Sequence, residues 1–166
     1  MSNFVSAYTP QVKITRESYQ KISQFAMPAG LEARCMESGL FGSKSEYDIA
    51  EDECKKWLAL CVGFANGGVG LSMTSEKVDE IWHQFILFTL PYHEFCAKFN
   101  GGRYLHHIPK VTDEFDTRST QSVGNFKEAY EACFGKLNAV WPQKAFNSLA
   151  SCVADSGSAC DTSLAD

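Results

Sequence analysis

Apolar positions in this chain recur every three or four residues over most of its length, the spacing that lines one face of an α-helix. In TRESYQKISQFAM, Tyr19, Ile22, Phe25 and Ala26 form one stripe, and Pro28 ends the segment. LEARCMES predicts a short second helix stopped by Gly39. The next is expected to begin near Ser45, a residue type that caps helix N-termini, with acids in the first turn. Cys54, Trp57, Leu58, Cys61 and Phe64 make its inner face, and Asn66-Gly67-Gly68 closes it.

The glycine-rich stretch GVGLSM connects to a central helix opened by Thr74-Ser75. Glu76, Asp79 and Glu80 load its N-terminal turns, and Val78, Ile81, Trp82, Phe85 and Phe88 or Thr89 form its buried stripe. Pro91 is expected to kink or end it, with a further helical segment from Tyr92 to Phe99 terminated by Asn100-Gly101-Gly102. RYLHHIP reads as extended, because the residue before Pro109 is biased away from helix. Asn125 to Trp141 predicts the last long helix, buried through Phe126, Tyr130, Cys133, Phe134, Leu137 and Trp141, and Lys144 to Cys152 a short one. No period-2 run of strand length occurs, although GVGLSM and RYLHHI are the stretches able to form a short strand.

The predicted class is all-α: a single compact helical domain over residues 1–153, of about five to six helices. Residues 154–166 are small, polar and free of basic side chains, and are expected to form a flexible tail. The central helix is expected to pack against the Trp57 helix and the Asn125–Trp141 helix.

Composition narrows the function classes. A 166-residue chain with 45% hydrophobic and 13% aromatic residues suits a globular fold rather than a disordered one. Fifteen basic against twenty acidic residues give a net charge of −5 without a Lys/Arg block, which argues against a nucleic-acid partner. The N-terminus lacks a cationic start followed by an apolar run, and Phe85–Phe88 is far too short to span a bilayer. A cytoplasmic protein without a signal peptide or a membrane partner is therefore expected. Its seven cysteines are scattered, with no C-x-x-C pair, as expected of reduced thiols, several of them buried.

One cluster has chemical potential: all four histidines lie between His83 and His107. Imidazole is the commonest metal ligand and the usual proton shuttle near neutral pH. Asp79 lies one helical turn before His83 on the same face, with Glu80 nearby, placed to orient the imidazole or to share a metal. His106 and His107 are adjacent, so in an extended segment only one faces the same site as His83. Pro91 separates His93 from the helix of His83.

Several metal chemistries fail on spacing. His93-Glu94 is not followed by the second histidine of H-E-x-x-H, and Glu80-x-x-His83 has no second copy for a di-iron site. Zinc-finger cysteine pairs are absent. A mixed zinc or iron site remains: His83 and His106 or His107 as its core, Asp79 as candidate ligand, His93 and Cys96 as secondary candidates. A Cys96–His93 nucleophile–base pair lacks an orienting third group. No G-x-S-x-G elbow, P-loop or Rossmann fingerprint occurs, so no catalytic residue is assigned and enzymatic activity stays open. The alternative is a non-catalytic protein–protein interaction module in which the histidines only hold the return segment onto the helix. Imidazole nitrogens of His83 and His106 or His107 within about 3–4.5 Å would favour the metal reading.

The order Asp79-x-x-Trp82-His83, Ile86-Leu87, Tyr92, Phe95-Cys96, Gly101-Gly102 and His106-His107-x-Pro109 resembles the core of the glycine-rich domain-containing protein-like family. The likeness covers Val78 to Pro109 and extends to the position of the Trp57 helix. It implies a helical domain without a known biochemical activity. It marks Asp79, Trp82, His83, Tyr92, Cys96 and the His106-His107 pair, and does not clearly mark His93. Plant members carry a glycine-rich extension that this chain lacks, so their roles in development and stress do not transfer.

Overall fold

The computed structural model describes residues 3–107, 117–142 and 144. The described residues form seven α-helices and no strand: α1 (Asn3–Ala7), α2 (Thr9–Ile22), α3 (Leu31–Glu37), α4 (Lys44–Gly63), α5 (Glu76–Leu87), α6 (Thr89–Phe99) and α7 (Thr117–Phe134). A 3₁₀ turn, Ala65–Gly67, follows α4. The all-α class holds, and GVGLSM and Arg103–His107 run without regular structure. The tail 154–166 and the short helix expected after Lys144 lie outside the described residues, as does Pro109.

Caps explain where the helices start. Ser43, not Ser45, caps α4: its hydroxyl accepts the Glu46 N–H at 3.2 Å, and the Glu46 carboxylate returns to the Gly42 N–H at 2.7 Å. Ser43-x-x-Glu46 is the sequence signature of this reciprocal cap. Ser75 caps α5 by accepting from the Val78 N–H, and its hydroxyl donates to the Val140 carbonyl at 2.9 Å.

Three boundaries correct the sequence reading. Tyr8 precedes α2, which begins at Thr9 and stops at Ile22, so Phe25 lies beyond it and packs edge-on to Phe95 and Phe99 instead. The central helix breaks at Phe88, where ψ is 69°, three residues before Pro91. Pro91 sits in the first turn of α6, where its missing N–H costs nothing. Finally, α7 spans Thr117–Phe134 rather than Asn125–Trp141. Gly135 takes φ +81° just past its end, and Arg16 reaches from α2 to the Ala132 and Cys133 carbonyls at 2.7 and 3.2 Å. Those carbonyls lack helical partners, so the arginine ends the helix favourably. Leu137 and Trp141 are buried, but from the segment after the helix.

The core is centred on α4, which packs against α2 and α5; α3 and α6 flank α5, while α7 lies on α2 and α1. The expected packing of α5 against α4 is present, whereas the main helical neighbour of α7 is α2. Trp57 on α4 joins the two sides, with ring centroids 5.8 Å from Trp82 on α5, 5.6 Å from Phe126 on α7 and 6.4 Å from Trp141. No described helix is long and apolar enough to cross a membrane.

Five described cysteines, Cys35, Cys54, Cys61, Cys96 and Cys133, are free and buried. Burial pushes all five thiols above their ordinary value of 9.0, Cys35 and Cys61 to about 12 and Cys133 to about 11. Since the thiolate is the nucleophile, these five are expected to resist iodoacetamide at pH 8 until the chain unfolds. Mass-spectrometric labelling at equal rates in native and denatured protein would contradict this. The raised values also set a sign. Unfolded thiols release protons from about pH 9 upward while folded ones hold theirs, so stability falls as pH rises from 9 toward 12.

Candidate functional site

The site is built where the chain doubles back on α5. Asn100 ends α6, and Gly101 and Gly102 take φ of +60° and +77°, a conformation that β-carbons disfavour. The Asn100 side-chain amide donates to the Arg103 carbonyl, and the Gly102 N–H to the Cys96 carbonyl at 3.3 Å. The chain then runs back extended, with Leu105 buried, His106 exposed and His107 half-buried.

A buried hydrogen-bond relay holds this return segment. The Trp82 indole N–H donates to the Tyr92 hydroxyl at 3.1 Å, and that hydroxyl donates to the Leu105 carbonyl at 2.6 Å. One residue each from α5, α6 and the return segment thus share one hydroxyl, and His107 follows two residues later.

His107 lies against Trp82, ring centroids 4.8 Å apart, and edge-on to His83, also at 4.8 Å. Its Nε2 is 2.7 Å from Asp79 Oδ1. Asp79, His83 and His107 each present one ligand atom, all within 4.8 Å of one another. Asp79 and His107 are partly shielded, with 38% and 14% of their side chains exposed, while His83 is exposed. This is a two-histidine, one-carboxylate set facing solvent through His83.

The other candidates lie apart from this cluster. His106 is exposed, its ring tilted at 49° to that of Tyr104 with centroids 5.2 Å apart, in keeping with alternation along the segment. His93 is exposed on α6. Cys96 is buried, its thiol pushed up chiefly by burial. Glu80 turns toward α3: its carboxylate accepts from Gln84, which in turn accepts from Arg34. Only the family likeness marks Tyr92, and no spacing in the sequence signals the relay through its hydroxyl.

Ligands of one zinc at about 2.1 Å lie no more than about 4.2 Å apart. The limit of 4.8 Å among these atoms is slightly wider, and the most exposed member of the three is His83. The trio can therefore gather a divalent ion and leave coordination positions to solvent. Without an ion, the 2.7 Å contact makes Asp79 and His107 a clasp.

Residues 16–145 match the family model described as UCP032817-like, and the chain belongs to that family. No curated protein and no solved structure matches it.

Proposed function

We propose that this UCP032817-like protein is a metal-binding helical protein whose centre is Asp79, His83 and His107. The observation that carries the reading is the convergence of the three candidate ligand atoms from two separate segments, α5 and the return segment. Two imidazoles and one carboxylate with open positions suit zinc or iron, and three protein ligands are what a catalytic rather than a purely structural site offers. The narrower likeness to glycine-rich domain-containing proteins belongs to the same proposal, because Trp82-His83 and the second histidine of the pair meet at this centre. A reducing, cytoplasmic setting accords with five free buried thiols.

The test is elemental analysis of protein purified from metal-replete cells, alongside Asp79→Ala, His83→Ala and His107→Ala. The expected result is about one zinc or iron per chain, lost in each variant, since a three-ligand set tolerates no deletion. Metal-free wild-type protein that also fails to take up added Zn²⁺ or Fe²⁺ would refute it.

A second reading rests on the direct Asp79–His107 hydrogen bond, which needs no ion. In it the histidines are structural and the protein is an interaction module for a protein partner. Leu87 and Leu90, 59% and 67% exposed at the α5–α6 elbow, are its natural contact residues. Loss of a partner on Leu87→Ser with Leu90→Ser, with metal content irrelevant, would favour it.

A further inference from the structure

We infer that Tyr92 is the positioning residue of this centre, its single hydroxyl setting where His107 stands relative to Asp79 and His83. The inference rests on the metal reading for its affinity consequence and on the hydrogen-bond geometry alone for its positional one. His107 belongs to a segment without regular structure, so no helical ladder holds its main chain. Among the described residues, its main chain is fixed through Leu105, buried two residues earlier, whose carbonyl accepts from the Tyr92 hydroxyl.

Tyr92 is fully buried, and its hydroxyl both accepts from Trp82 on α5 and donates to Leu105 on the return segment. Trp82 is one residue before His83, and its ring lies against His107. The relay therefore ties both histidine-bearing segments to one oxygen atom. Phenylalanine at position 92 keeps the ring contacts with Phe85 and Tyr104 but leaves the Trp82 N–H and Leu105 carbonyl without this partner in a dry setting. The return segment is then free to slide, and a ligand that has lost its support binds its ion less well.

Two measurements on the full chain separate this inference from the metal reading. Co²⁺ affinity, followed by the visible absorption of the bound ion, is expected to fall about 10–100-fold in Tyr92→Phe, the range seen when outer supports of a metal ligand are removed. Tyr130→Phe is the control: it removes a buried hydroxyl donor to Glu53 on the other side of the core and should lose stability without losing Co²⁺ affinity. The second measurement, on metal-free protein, is the nuclear Overhauser contact between the His107 and Trp82 rings, expected in wild type and weakened in Tyr92→Phe. If wild type binds no Co²⁺ yet the ring contact weakens in the variant, the metal reading fails and the positioning role stands. Unchanged affinity, or equal losses in Tyr92→Phe and Tyr130→Phe, together with an unchanged ring contact, overturns the positioning role. Should Tyr92→Phe not fold, Trp82→Phe removes the indole N–H that donates to the Tyr92 hydroxyl while keeping the Tyr92–Leu105 bond, and a smaller loss of Co²⁺ affinity is expected.

Discussion

Replacing Glu53 with alanine is expected to destabilise the protein by about 2–6 kcal/mol, the cost of taking a buried acceptor from two donors at about 1–3 kcal/mol each. Glu53 is 1% exposed on α4. Its Oε2 accepts from the Tyr130 hydroxyl at 2.8 Å and from the Trp141 indole N–H at 2.7 Å, while Oε1 meets Lys56 Nζ at 2.8 Å. Alanine strips this charge-assisted acceptor from the hydroxyl of Tyr130 and the indole N–H of Trp141, two fully buried aromatics. Lys56 keeps Asp52 at 3.0 Å, so its charge is not stranded. Urea unfolding should show the midpoint falling with an unchanged slope, and Glu53→Gln, which retains one acceptor oxygen, should lose less. A loss below about 1 kcal/mol, the worth of one ordinary hydrogen bond, would show that the carboxylate is not the anchor of the segment after α7.

Gly63→Ala should destabilise by about 1–3 kcal/mol, although helix propensity alone predicts a gain of nearly 1 kcal/mol. Gly63 is the last residue of α4, where α2 crosses closely. A β-carbon there would collide with Thr15 Oγ1 and come within 2.9 Å of the Gln11 main-chain oxygen. The threonine hydroxyl can be removed, but the carbonyl is part of α2 and moves only with its helix. Thr15→Ala is therefore expected to rescue part of the loss, leaving the backbone contact in place. Thermal melts that rise on Gly63→Ala would mean that the two helices separate freely at this crossing.

Much of the fold was legible because burial imposes a helical period whatever the neighbours are. The inner face of α4, from Cys54 through Phe64, and the stripe Val78, Ile81, Trp82 and Phe85 of α5 are buried as their spacing requires. Legibility failed where a local pattern has two solutions. Leu137 and Trp141 continue the period of α7, yet Gly135 and the arginine from α2 stop the helix before them. Apolar spacing reports burial, and a loop residue held by Glu53 is buried too.

The candidate site divides in the same way. Asp79 one turn from His83 is a property of the helix, and alternation in the return segment allows only one of His106 and His107 to join them. Both follow from local geometry and could be read from residue order. Which histidine joins, and that His93 and Cys96 stand apart from the trio, was decided by tertiary structure: the glycine turn after Asn100 and the Tyr92 hydroxyl fix the register that puts Leu105 inside and His107 beside Asp79. The chain alone thus determined a helical protein with a histidine-bearing face. The Asp79–His83–His107 cluster exists only because hydrogen bonds between residues ten or more apart set a register that no local spacing encodes.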